Sequence, residues 1–329
     1  MCPRKDWVIM TRNPIALVTG ASGKIGKYLV KHLLNKEWTV IAISSKPKKI
    51  NHKNLNWIQK PWEDINEITL PKIDVVYHLA GQNNAYIAQK NVIEDVRSNL
   101  ILTIKVLEVL KKCSVEPLFI TLGSATEYGS HNKDELTENS NATPETFYEV
   151  GKIATRNYIE QYEREEVIRK SMSFRITNIY GMSKSMGDND RGFIDDAVYR
   201  AMYNLDINCF GAGDFLRDYL HISDLAEALA TAYLMESKLK SNVYNLSFGE
   251  SHTVIQVLEK IQSLALSKKK STSMIIKLDF PSDKYDIEKR NARVSSKKFQ
   301  EESNWKPQLN LKKGLELSLN QYLVDPTDG

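Results

Sequence analysis

The sequence predicts an α/β protein, a doubly wound parallel sheet followed by a smaller C-terminal α+β lobe. Two observations predict it. Short apolar runs alternate with amphipathic stretches from Ile15 to about Tyr180, the pattern of a parallel sheet with helices on both faces. Beyond Tyr180 the alternation loosens, and Gly181 to Gly192 is rich in Ser, Asp, Asn and Gly. The chain therefore divides into an N-terminal extension (1–14), a main domain (15–180) and a lobe (181–329). Within that lobe, a stretch at about 218–246 is expected to return to the main sheet.

The first unit is the most informative. Ile15 to Lys46 reads as strand, glycine-studded turn, amphipathic helix and second strand. Gly20, Gly23 and Gly26 are spaced three apart. That spacing suits a tight turn, a close backbone approach to a pyrophosphate, and close packing of helix on strand. The new helix turns its free N–H groups and positive dipole end toward the phosphates. This is the opening unit of a Rossmann-type dinucleotide-binding sheet.

Later elements follow in order. Leu55 to Gln59 is a short third strand, and Ile73 to Leu79 is a buried parallel strand running into Ala80-Gly81. A helix is expected from about Asn91 to Lys112, with Val92, Val96, Leu100, Thr103, Leu107 and Leu110 on one side. Pro117 to Leu122 is the next strand, ending at Gly123-Ser124, and a second long helix spans about Pro144 to Arg169. Ser173 to Ile179 reads as another strand. In the lobe, helices are expected near Phe193 to Tyr203, from Ser223 as N-cap, and from Thr253, with strands at Asp218 to His221, Val243 to Leu246 and Met274 to Leu278.

Composition limits the function classes. The chain has 329 residues, 42% hydrophobic and 26% charged, with a net charge of +4. So slight a basic excess gives no case for nucleic acid as partner but suits an anionic substrate. No apolar run approaches the ~20 residues of a membrane span, so no membrane partner is expected. Cys2, Cys113 and Cys209 are too few and scattered for a disulfide framework, which fits a reducing cytoplasm. The histidines are dispersed, and no metal site is expected. His78 reads as a packed structural histidine.

Tyr148 and Lys152 are four apart on the second long helix and share a face. A phenol beside a fixed ammonium ionises more easily, so Tyr148 is expected to exchange protons near neutrality. Ser124, at the end of the preceding strand, is placed to donate to the same substrate oxygen.

With these residues in view, the chain resembles the extended short-chain dehydrogenase/reductase family, in its nucleotide-sugar epimerase/dehydratase branch. The resemblance is carried by Gly20-x-x-Gly23-x-x-Gly26, His78 to Gly81, Asn99, Gly123 to Gly129, Tyr148-x-x-x-Lys152, Arg175 to Gly181, Arg217 to Ala228, and Asn304 to Leu315. It implies an enzyme in which Tyr148 is the acid/base, Lys152 holds the nicotinamide ribose, and Ser124 steadies the reacting oxygen. It further implies coenzyme contacts from Gly20, Ser22, Gly23, Lys24, Ile25, Gly26, Leu79, Ala80 and Gly81. A nucleotide-sugar would be contacted by Ser124, Asn178 and Arg217, and Asn99 would support the catalytic region by hydrogen bonding. Pairing of the two long helices would make a homodimer.

Departures from the family narrow the chemistry. Dehydratases of this kind place Asp-Glu directly after the Ser/Thr, and decarboxylating relatives tend to keep the Glu. Here Ala125 and Thr126 stand there, and Glu127 on a strand-like segment would face the opposite way. Dehydration and decarboxylation are therefore disfavoured. The acid that grips the ribose 2′-OH of NAD is replaced by Ser44, followed by Ser45 and Lys46. Hydroxyls and an ammonium suit a 2′-phosphate, which favours NADP over NAD. Hydride transfer at a sugar carbon, C4 by resemblance, then has two forms. The family favours an epimerase, and Ser44-Ser45-Lys46 favours a 4-ketoreductase. A non-enzymatic NADP-binding sensor or scaffold is the reading from another class, and retention of Ser124, Tyr148 and Lys152 speaks against it.

Overall fold

A computed structural model describes residues 12–47, 50–61, 64–65, 68–130, 135–181, 192–279 and 290–323. Most of the expected N-terminal extension and of the Gly181–Gly192 loop lies outside the described residues, as do Lys48 and Lys49.

The main sheet is seven-stranded and parallel. Its strands are β1 (Ile15–Thr19), β2 (Thr39–Ser44), β3 (Leu55–Gln59), β4 (Val75–His78), β5 (Leu118–Ser124), β6 (Lys170–Ile176) and β10 (Val243–Leu246). They run in the order β10-β6-β5-β4-β1-β2-β3. The two-residue period of a strand sends alternate side chains to opposite faces, and β1 shows the consequence. Ala16 and Val18 join one core with Leu29 and Leu33 of α1 (Lys24–Asn35) and Leu225 and Leu229 of α7 (Ile222–Leu234). Leu17 joins the other core with Val106 and Leu110 of α4 (Leu102–Cys113) and Ile159 of α5 (Phe147–Arg164). Both faces are covered, as an all-parallel sheet requires.

The expected helix from Asn91 to Lys112 is not one regular helix. α2 (Ala85–Lys90) precedes it, and α3 (Val92–Val96) reaches α4 through a π-helical stretch, Arg97–Ile101. The wider turn places Asn99 inward, buried, where its amide donates to Asp95 Oδ1 at 2.8 Å. α5 starts later than expected because a capping box makes Thr146 its N-cap, and it ends at Arg164 rather than Arg169. The Thr146 hydroxyl accepts from Glu149 N, and Glu149 Oε2 accepts from Thr146 N at 3.1 Å. β6 correspondingly begins at Lys170 and ends at Ile176, short of the expected Ile179. β7 (Asn178–Tyr180) is a separate strand that leaves the main sheet.

The lobe is built from α6 (Phe193–Met202), β8 (Ile207–Phe210), β9 (Leu216–His221), β11 (Ser251–Thr253), α8 (Val254–Lys269), β12 (Ile275–Leu278) and α10 (Leu311–Asn320), whereas α9 (Lys297–Ser303) returns to the main sheet, where Phe299 joins the first core. A third core forms where α6, α8 and α10 pack together. Of the 218–246 stretch, β10 pairs with β6 in the main sheet, whereas β9 lies between β7 and β11 in a three-stranded sheet. The N-cap of α7 is His221 rather than Ser223, because His221 Nδ1 accepts from Ser223 N at 3.2 Å. All parallel strands of the main sheet end on one edge, and β7 and β9 bring the lobe against it.

Candidate active site

The β1–α1 turn needs glycine at Gly20, which has a φ of +64°, and a Cβ there would stand 2.6 Å from Ala80 N. At Gly26 a Cβ would collide with the Gly20 carbonyl. β1, β4 and α1 therefore approach closely enough to shape a groove floored by main chain. Gly23 caps α1 without a side-chain hydrogen bond, and no acid occupies the first turn, so that helix end is open to an anion. The resulting cleft, about 280 Å³, runs from Gly20, Gly23 and Gly26 past Leu79, Ala80 and Gly81 to Tyr148 and Lys152. A dinucleotide fits this donor set. Ile25 and Lys24 line it as well, and Ser22 lines the adjoining cavity.

At its far end the catalytic candidates meet. Ser124 caps a 3₁₀ helix, Ala125–Tyr128, and its Oγ lies 2.8 Å from Thr126 Oγ1. This helix replaces the strand expected there, so Glu127 is oriented by a helical turn. It is fully buried. Its Oε1 accepts from Ser124 N at 3.0 Å, and its Oε2 accepts from Arg156 Nη1 at 2.6 Å and Arg175 Nε at 2.9 Å. A carboxylate so engaged is a structural anion, and it joins Ser124 to the helix that carries Tyr148 and Lys152.

Lys152 Nζ lies 5.5 Å from the Tyr148 ring centroid and donates to Leu122 O at 3.2 Å. The expectation of a lowered phenol pKa is not met in this structure. Desolvation by the surrounding protein raises the Tyr148 phenol, and the charges of Glu127, Asp95 and Glu149 push the same way, opposed by a Ser124 hydrogen bond. Desolvation lowers Lys152, against the opposing charges of Glu127 and Asp95. His78 is structural, as expected. Its Nδ1 is 2.8 Å from Thr19 Oγ1 and its Nε2 2.9 Å from Thr103 Oγ1. Burial first, and then Lys152, hold it down at about 3.

A second cavity of about 460 Å³ opens beside this point. Ser124, Tyr148, Asn178 and Arg217 line it together. Asn178 Nδ2 donates to Asp218 O at 3.0 Å, and the Arg217 guanidinium lies 4.8 Å from the Phe215 ring centroid. The sequence reading missed Arg290, which also lines the cavity. Its Nη1 donates to Glu149 Oε1 and Thr126 O, each at 3.1 Å, and its carbonyl accepts from Arg217 Nη1. Nothing local marks it. The pairing of Ala292 N with Leu216 O, at 3.1 Å, brings its segment in from the end of the chain. Asn83, Asn84 and Tyr86 line the same wall and were likewise unmarked.

At the opposite end of the cleft, Ser44 and Ser45 line a cavity of about 340 Å³ with Gly20, Ser22 and Gly23. Lys46 is not among its lining residues, and its carbonyl instead accepts from Trp57 Nε1 at 3.3 Å. Among the described residues no cluster of His, Cys, Asp and Glu could hold a metal ion, and no helix is long and apolar enough to cross a membrane.

A glycine-floored cleft on the edge of a parallel sheet, with a Tyr and Lys at one end, defines a dinucleotide-binding enzyme fold. The NAD dependent epimerase/dehydratase family matches residues 16–247, and the chain belongs to that family. The chain is 26% identical to dTDP-4-dehydro-6-deoxyglucose reductase of Escherichia coli, over 77% of this chain and 82% of that one. It is 25% identical to a putative UDP-glucose 4-epimerase of Methanocaldococcus jannaschii, over 92% and 97%. Its fold is similar to that of UDP-glucose 4-epimerase from Thermotoga maritima, with a TM-score of 0.81, 25% identity and coverage of 94% and 98%. These likenesses agree with the family, the fold and the general enzyme class read from sequence.

Proposed function

We propose that this protein is an NADPH-dependent 4-ketoreductase of a nucleoside-diphosphate sugar. The observation that carries the proposal is the position of Tyr148, which lines both the coenzyme cleft and the adjoining polar cavity. In this reading Arg217 and Arg290 take the diphosphate, for which guanidinium groups are suited. Ser124 donates to the oxygen on C4, and Lys152 holds the nicotinamide ribose. Bound NADPH supplies hydride to C4. Tyr148 gives its proton to the oxygen as negative charge develops there, and solvent returns the proton afterwards. A phenol held above its usual pKa by its surroundings remains protonated, which suits a donor in the reducing direction. The absence of a carboxylate at Ser44 supports NADPH over NADH.

The second reading is C4 epimerisation, supported by the similarity to the Thermotoga maritima epimerase over 94% of the chain. The two separate cleanly. The purified protein is incubated with a panel of nucleotide-sugars, and separately with 4-keto derivatives plus NADPH or NADH. Stoichiometric NADPH oxidation means reductase; isomerised sugar without net coenzyme use means epimerase. Inertness in both arms leaves a coenzyme-binding protein only.

The quaternary proposal is a homodimer paired through the α3–α4 and α5 segments. Its support is an apolar outer face, where Ile93 is 67%, Val150 50% and Phe147 46% exposed. Gel filtration at micromolar concentration tests it, and a clean monomer counts against it. Free thiols at Cys113 and Cys209 support a reducing, cytoplasmic compartment.

A further inference from the structure

We infer that Lys60, immediately after β3, is the cation that selects a 2′-phosphate on the coenzyme, acting with the hydroxyls of Ser44 and Ser45. The inference rests on the NADPH reading above and identifies the group responsible.

Parallel pairing of β2 with β3 sets Ser44 opposite Gln59. Lys60 N then donates to Ser44 O at 3.0 Å, so the backbone of Lys60 is fixed beside the strand end where a ribose would lie. The Lys60 side chain is half-buried and lines the same cavity as Ser22, Ser44 and Ser45. Lys46, the cation nearest in sequence, is exposed and is not part of that lining. Ser44 Oγ accepts from Lys46 N at 2.9 Å, which leaves its O–H to donate inward. Among the described residues lining the cavity there is no Asp or Glu.

A ribose at these strand ends would meet the hydroxyls of Ser44 and Ser45 and the side chain of Lys60. A phosphomonoester carries about −1.5 to −2 charge near neutrality and would find a cation and hydroxyl donors together. Lys60 lines this cavity and Lys46 does not, so Lys60 outweighs Lys46 in this role.

Binding is the direct test. NADPH and NADH are titrated into the full-length protein and followed by calorimetry, for wild type, Lys60→Ala, Lys60→Arg and Lys46→Ala. 2′,5′-ADP and 5′-AMP serve as probes that differ only in the 2′-phosphate. Lys60→Ala is expected to weaken NADPH and 2′,5′-ADP by about tenfold or more, the effect of losing one charged hydrogen bond. NADH and 5′-AMP should stay within about twofold, Lys60→Arg should recover most of the loss, and Lys46→Ala should change little. Equal weakening of both coenzymes, no weakening, or transfer of the loss to Lys46→Ala overturns the assignment. The wild-type NADPH to NADH ratio tests the coenzyme reading separately. A thermal melt of each variant distinguishes lost contact from lost fold.

Discussion

At one end of the coenzyme cleft a fully buried carboxylate, Glu127, binds Ser124, Arg156 and Arg175 and so ties three chain segments together. At the other end, Ser44, Ser45 and Lys60 meet at two strand ends, with Ser45 exposed. The catalytic end is held by contacts that cannot be removed singly without stranding a buried charge. At the other end Ser44 is buried but Ser45 is exposed, so the contacts there are more open to water. The chemistry is therefore expected to be brittle to substitution and the coenzyme preference adjustable.

The largest effect expected is on turnover. Tyr148→Phe removes the proposed proton donor and should lower kcat by about 10²- to 10⁴-fold, with coenzyme affinity unchanged in a fluorescence titration. Unchanged turnover would remove Tyr148 from the mechanism. Next, Glu127→Ala should cost about 3–5 kcal/mol in denaturant unfolding, because the buried Arg175 and the partly buried Arg156 lose their counter-ion. Ser45→Ala, at the other end, should stay within about 0.5 kcal/mol. Similar losses at both ends would erase the contrast.

Acid should act from the cleft's interior. His78 is held at about 3 in the folded chain, below its ordinary 6.5. The unfolded chain therefore takes up the proton first as pH falls. The contribution of neutral His78 is complete above pH 6.5 and declines toward pH 3, at up to about 1.4 kcal/mol per pH unit. His78→Asn should flatten that part of a stability–pH curve; an unaltered slope would exclude His78 as its source. Ser44→Asp, at the other end, supplies a diol acceptor and should move the NADPH to NADH preference toward NADH by about tenfold, or ~1.4 kcal/mol. A variant that keeps its NADPH preference would show that the ribose end is less adjustable than its exposure suggests.

Much of this was legible in the residues. The glycine spacing, the alternation of strands and helices, and the four-residue step from Tyr148 to Lys152 are local patterns, and each appears in the structure where expected. Helix limits were less so. The start of α5 is set by the Thr146–Glu149 capping box, and the Arg97–Ile101 π-helical stretch left no mark on the apolar period. Glu127 was expected on a strand and sits instead on a 3₁₀ turn, held by arginines from α5 and β6.

By itself, the sequence determined the sheet, the glycine turn at its centre and the pairing of Tyr148 with Lys152, because backbone period and steric freedom act over a few residues. Only the tertiary structure decided that Lys60 rather than Lys46 lines the cavity at the β2 and β3 ends, and that Arg290 joins Arg217. It also decided the direction in which the Tyr148 phenol is shifted. Cavities and electric fields are sums over groups from distant segments, and their terms exist only once the chain has brought those segments together.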